Sequence, residues 1–350
     1  MAIASAWSWR FLVIAGAVAV LVALVVCLRL LVVPVLLATL LAALLIPFRD
    51  FLVAHRVPRW AAIVIAEVGL ILAVSALLYL VVTQVVSGLS GVEERLGRAT
   101  QAVTEFLAGA PFHLSADDVA ESLERVIAFI QENSSALISG VTSAGSSIAH
   151  FAAGLLLTLF TSLVLLIDGR GIWAWIVRLF PRAARDSADG AGRAGWRTLT
   201  AYAKAQILVA TIDAVGIGIG AAILGVPFAL PIAVLVFLGS FIPIIGAVVT
   251  GAIATLIALV YNGWVVALIM LGIVLLVQQI ESHVLQPLIM GKAVRVHPLA
   301  VVLGVFGGSI AGGVFGALFA VPLIAVSNTV VRHVAQGREF AAGHPAASGA

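Results

Sequence analysis

The chain has 350 residues, 63% hydrophobic and 10% charged, with a formal net charge of +3. A soluble domain carries roughly 25% charged residues, so the apolar excess must face lipid and a water-soluble globular protein is excluded. The basic residues then serve as topology signals and headgroup contacts, and no run combines dense Lys/Arg with aromatics as a nucleic-acid groove would.

A helix needs ~20 apolar residues to cross a ~30 Å hydrocarbon core. Residues 1–86 hold three such helices: two short spans from Phe11 to Ile46, broken near Arg29 and Pro34, and a third from Trp60 to about Val86. The polar patch Arg49-Asp50, His55-Arg56 and Arg59 separates them. The lone Cys27 excludes internal disulfides and reads as a lipid-facing residue.

Residues 87–146 are a different material, with eight acids against three bases. Apolar residues from Val85 to Phe106 alternate four and three apart, Pro111 ends that stripe, and Ser115-Ala116-Asp117-Asp118 starts a second helix. This predicts an extramembrane acidic helical hairpin, whose stripe could pair subunits of a homo-oligomer or close within one chain. Membrane helix 4 follows over 147–167. Residues 168–204 form a basic linker, seven bases against three acids, interrupted by Trp173, Trp175, Leu179 and Phe180 as in a helix lying at the interface. The positive-inside rule puts both basic segments and both termini in the cytoplasm and the acidic hairpin outside.

Residues 205–331 form the transport core, followed by a disordered tail over 332–350. Gln206 to Leu224 is one span. Pro231 to Val260 is apolar for about 45 Å of helix, yet it breaks at Gly239-Ser240-Phe241-Ile242-Pro243-Ile244-Ile245-Gly246. Leu299 to Val331 repeats the design, with Gly307-Gly308, Gly312-Gly313 and Gly316 in its middle. Interrupted apolar segments of this kind mark discontinuous helices at transporter binding sites, or close packing through small residues. Crossing singly, they give eight spans; dipping in and returning, they give six plus two re-entrant hairpins and bring Lys292, Arg295 and His297 inside. The fold class is therefore all-α, a polytopic membrane protein with six to eight membrane helical segments.

Ionisable groups within spans are costly, so each is a functional candidate. Asp213 lies about mid-span, and Gln206, Asp213, Gly216 and Gly220 share one helical face. Gln278, Gln279, Glu281, His283 and Gln286-Pro287 crowd polar groups at the end of another apolar helix. Pro243 and Gly246 mark the first break. Glu67, Lys204, Lys292 and His297 are weaker candidates. No metal-ligand set and no cofactor motif appears, nor any phosphate-binding loop, nucleophile elbow or intramembrane protease motif, so the expectation is a non-enzyme.

Several strings carry a resemblance. Phe241-Ile242-Pro243-Ile244-Ile245-Gly246, then Gln279 to Pro287, Gly291-Lys292, His297-Pro298-Leu299 and Gly312 to Pro322 resemble the autoinducer-2 exporter family of permeases. Leu45-Ile46-Pro47 through Val57-Pro58-Arg59 resembles that family's second loop. The family commonly has Asn where His283 stands and an aromatic at Ile244. The resemblance implies a multi-pass permease of the cell membrane exporting a small solute such as the furanosyl signal autoinducer-2; members have also been associated with sodium/proton exchange. The expected partners are a small-molecule or ion substrate and the lipid bilayer. The alternatives are a cation/proton antiporter with Asp213 and Glu281 as ligands, or a non-transporting scaffold whose acidic hairpin binds a partner.

Overall fold

The computed structural model describes residues 26–88, 145–242, 245–285 and 298–343, with a few positions between 13 and 24. The expected acidic hairpin lies outside the described residues. Among the described residues the chain is helical and carries no strand: α1 Arg29–Ala54, α2 Arg59–Gly88, α3 Gly145–Arg178, α4 Arg185–Ile223, α5 Ala229–Gly239, α6 Ile245–Asn262, α7 Trp264–Ile280 and α8 Pro298–Gly343. In hydrocarbon no water satisfies the backbone, so apolar runs of this length resolve as helices. Six described helices are long and apolar enough to cross a membrane, and Ala229–Gly239 and Gly246–Asn262 are shorter apolar helices. The chain is a polytopic membrane protein.

It divides into two compact units. The first comprises Met1–Ile63, Phe151–Thr200 and Val296–Ala350; the second comprises Val64–His150 and Ala201–Arg295.

In the first unit, α1 is continuous through Pro34, where the sequence suggested a break. Proline removes one backbone donor, which a membrane helix tolerates when neighbouring groups pack around it. Pro34 is buried, and a methyl group added at Gly154 of α3 would sit 3.9 Å from its ring. Ala38, Ala42 and Leu45 follow on the same face and are also buried, a small-residue stripe that admits close helix packing.

The main break in this unit is at Asp168, with φ −142 and ψ 42 inside α3. A helix that stops here strands its last carbonyls. Two arginines from the polar patch supply donors: Arg49 donates to the Leu166 carbonyl at 2.5 Å and Arg59 to the Ile167 carbonyl at 2.8 Å. Asp168 itself accepts from the Gly171 N–H at 3.1 Å, acting as N-cap of the segment that follows. That segment turns through Arg182–Ala184 into α4, whose helix is unbroken from Arg185 to Ile223. The basic linker and the fifth span therefore share one helix. The C-terminal half of α8 packs along the start of α4, with Thr198 and Thr329 hydroxyls 3.1 Å apart. α8 continues to Gly343, and the rest of the expected disordered tail lies outside the described residues.

α8 is not one rod. Gly313 has φ 61 and ψ −143, a region closed to residues with a Cβ. On either side the chain folds back, so that a Cβ at Gly308 would strike the Gly316 carbonyl and one at Gly316 would strike that of Gly308. One turn further out, a Cβ at Gly304 would meet Ile324 and lie 4.0 Å from Ala320. These contacts pair residues in reverse order, which defines an antiparallel helical hairpin closed at Gly312-Gly313.

The second unit holds the matching feature. α5 and α6 meet at their break, where a Cβ on Gly246 would strike the Gly239 carbonyl and one on Gly239 would lie 2.5 Å from Thr250 Cγ2. Their far ends also meet: Phe228 and Tyr261 pack edge to face with ring centroids 5.5 Å apart. Phe228 takes a left-handed φ of 65, unusual for an aromatic residue, and this contact helps hold it. α5 and α6 are thus antiparallel along their whole length. The core of this unit joins Ile217, Ile232, Val236, Ala254, Ala258, Met270 and Val274.

Neighbouring glycines in α8 differ in what they tolerate. Gly308→Ala should destabilise the protein by roughly 1–3 kcal/mol through overpacking, read as a lower melting temperature in detergent. Gly307→Ala, at a position with nothing within 4 Å, should leave the melt unchanged; equal losses from both would dissolve the hairpin contact.

Candidate functional site

The site is built on α4 and the tip of the α5–α6 hairpin. Gln206 and Asp213 are seven residues apart in α4 and share one face. Both turn to Ser240, the residue after the last of α5. Gln206 Nε2 donates to the Ser240 carbonyl at 2.7 Å, and Ser240 Oγ donates to Asp213 Oδ2 at 3.2 Å. The same hydroxyl lies 2.8 Å from the Val236 carbonyl, so one proton has two competing acceptors.

Asp213 is 1% exposed, and its second oxygen, Oδ1, has no hydrogen-bond partner among the described residues. A buried carboxylate oxygen left in this way costs about 1–3 kcal/mol. Glu281 is near enough to act on Asp213 electrostatically. It opens a π turn, Glu281–Leu285, at the end of α7, and such turns often occur at functional positions.

The remaining sequence candidates are dispersed. Gly246 is buried against Gly239 at the same tip. Gln278 is half-buried, whereas Gln279 and His283 are exposed, and His283 Nδ1 lies 3.2 Å from the Gln279 carbonyl and 3.0 Å from Ser282 Oγ. Glu67 is buried in α2, and Lys204 is exposed on α4. Pro243, Pro287, Lys292 and His297 lie outside the described residues. Among the described residues no cluster of three metal-ligating side chains occurs.

Ser240 was not singled out by the sequence, because a serine beside a glycine is too common a signal. What could have found it is its distance from the break: it is the first polar side chain at the point where α5 must stop.

Long apolar helices, glycine-closed helical hairpins and buried carboxyl and amide groups inside a membrane span define a multi-pass membrane protein built around an intramembrane polar site. The AI-2E family transporter profile matches residues 11–336, and the chain belongs to that transporter family. It is 41% identical to putative transport protein MT0215 of Mycobacterium tuberculosis (strain CDC 1551 / Oshkosh), covering 96% of this chain and 92% of the relative. It is 26% identical to putative transport protein YueF of Bacillus subtilis (strain 168), over 79% of this chain and 76% of the relative. With AI-2 transport protein TqsA of Escherichia coli (strain K12) it shares 25% identity over 89% of this chain and 88% of that protein. The relatives are named as transport proteins, which fits a membrane permease.

The Ser240–Asp213 contact has a direct energetic test. Ser240→Ala should cost about 1–3 kcal/mol of stability, since it leaves a second buried carboxylate oxygen unpaired. In the Asp213→Asn, Ser240→Ala double-mutant cycle the two changes should be non-additive by at least about 0.5 kcal/mol; additive melting data would remove the contact.

Proposed function

We propose that this protein is a secondary-active exporter of a small polar solute in the plasma membrane, with its substrate path past Gln206, Asp213, Ser240 and Glu281. The observation that carries the reading is Asp213: a carboxyl group 1% exposed within a membrane-length helix, with one oxygen held by the tip of a broken hairpin and the other without a partner among the described residues. A group this costly to bury is retained where it meets solute or ion. The hairpin adds backbone groups. α5, at 11 residues, is about 16 Å long and cannot cross a ~30 Å core, so in this reading the hairpin dips in and returns. Its tip then offers half-helix ends at membrane depth, the arrangement transporters use to bind polar solutes. The name of TqsA makes autoinducer-2 the first solute to test.

A second reading is a cation/proton antiporter, favoured by the electrostatic interaction of Asp213 with Glu281. Flux in proteoliposomes separates the two: solute export driven by an imposed gradient supports the first, and sodium-for-proton exchange without solute supports the second. In either case Asp213→Asn should cut flux by roughly tenfold or more, as ~1.4 kcal/mol on the limiting step would do. The fold should survive, because Asn keeps the shape and an acceptor for Ser240. Unchanged flux with an unchanged pH profile would leave Asp213 structural.

The same reading places the polar patch, the basic linker and both termini in the cytoplasm. A single cysteine introduced as Lys292→Cys, with Cys27→Ser, should then be labelled from the cytoplasmic side. External labelling would instead support eight plain crossings.

The contact between Gly246 and Gly239 also changes how the break can be probed. Gly246→Ala drives a methyl group into the Gly239 carbonyl, so its effect on transport means little unless stability is measured on the same preparation.

A further inference from the structure

Residues 169–185 follow the break at Asp168 and contain four arginines, Arg170, Arg178, Arg182 and Arg185, and no acid. Helical geometry sorts the aromatics of this segment. Trp173 faces α4: its indole N–H donates to Asp189 at 2.9 Å and its ring lies against Gly192. Trp175, two residues on, points to the other side of the helix. Leu179 follows on that outer face at i+4, and Phe180 ends the segment. All three are exposed, at 58%, 68% and 44%. Arg185 is committed to the turn, donating to the Phe180 and Arg178 carbonyls at 3.0 and 2.8 Å. Arg170, Arg178 and Arg182 of the same segment are exposed; Arg178 also donates to the Ala174 carbonyl at 3.3 Å.

Arg49 and Arg59 cap the carbonyls at Leu166 and Ile167, just before α3 breaks at Asp168. With the Arg49–Arg59 patch at the cytoplasmic face, as in the proposed function, the segment just beyond lies at headgroup depth. A solvated linker would not expose a tryptophan, a leucine and a phenylalanine together. A docking face for a soluble protein would not need to be at the lipid boundary. Exposed apolar side chains bordered by arginines, with no acid among them, match an anionic phospholipid surface: rings and aliphatic carbons among the upper acyl chains, guanidinium groups on the phosphates.

We propose that the 169–185 segment is a binding site for anionic phospholipid headgroups, made by Arg170, Arg178 and Arg182 around Trp175, Leu179 and Phe180. Each arginine near an anionic surface strengthens attachment about fivefold, so the three together select strongly for anionic over zwitterionic lipid. The site is independent of the solute path and holds whichever solute is carried.

The test uses the full-length protein in bilayers of phosphatidylcholine with a minor share of phosphatidylglycerol, and trace spin-labelled lipid of either headgroup. The wild type should immobilise phosphatidylglycerol several-fold more than phosphatidylcholine, and the preference should weaken as sodium chloride is raised. Sodium phosphate at the same ionic strength should weaken it no more than chloride does, which separates a headgroup site from a free-phosphate site. The variant Arg170→Gln, Arg178→Gln, Arg182→Gln should bring the preference close to parity, whereas Arg-to-Lys changes at the same positions should retain most of it. Arg193→Gln with Arg197→Gln, on α4, should keep the preference. A wild type without selectivity overturns the proposal, as does a triple variant that keeps it or an α4 double variant that loses as much. If the triple variant does not fold, the salt dependence and the lysine variant still decide.

Discussion

Backbone groups inside hydrocarbon cannot borrow partners from water, and this constraint bears on three breaks among the described residues. At each of these three a specific provision is made. At Asp168 it is two arginines brought from the ends of α1 and α2, plus the aspartate's own carboxylate for the next turn. At the end of α5 it is the Gln206 amide on the Ser240 carbonyl. At Gly313 the chain uses a conformation only glycine adopts readily and closes the turn with glycine-to-glycine backbone packing.

The provision differs in kind. At Asp168 the Leu166 and Ile167 carbonyls and the Gly171 N–H are each paired, and the position marks where α3 bends into the basic segment. At Ser240 the provision is incomplete. One hydroxyl serves two acceptors, and a carboxylate oxygen stays without a partner among the described residues although its residue is 1% exposed. Buried polar groups are nearly always hydrogen-bonded, so one left without a partner calls for an explanation. That difference, within one chain, favours a solute path at α4 and the hairpin tip over one at the other breaks.

The helical spans were legible because hydropathy over twenty residues is a strong physical signal. That Gln206 and Asp213 share one face of α4 was legible from their seven-residue spacing in an apolar helix. Pro34 misled: it reads as a break only if no neighbour packs around it, and that neighbour, at Gly154, is more than a hundred residues away in sequence. The continuity of α4 was hidden for a similar reason, since charge along a helix looks like a linker when its packing partner in α8 is unknown. Glycine spacing located both interruptions, at 239–246 and 307–316. It could not distinguish a kink from a fold-back, because reverse-order contacts such as Gly304 with Ile324 and Phe228 with Tyr261 exist only in three dimensions. Ser240 needed the same information.

The central claim is that α5 and α6, of 11 and 18 residues, form one hairpin that returns to the side of the membrane it entered from, with Ser240 at its tip. Single cysteines introduced as Pro227→Cys and Asn262→Cys, one at each open end of the hairpin, test it directly with a membrane-impermeant thiol reagent on sealed right-side-out and inside-out vesicles. A re-entrant hairpin predicts labelling of both positions from the same side. Labelling from opposite sides would mean that the segment crosses the bilayer once, and the hairpin tip would lose its place as the binding element.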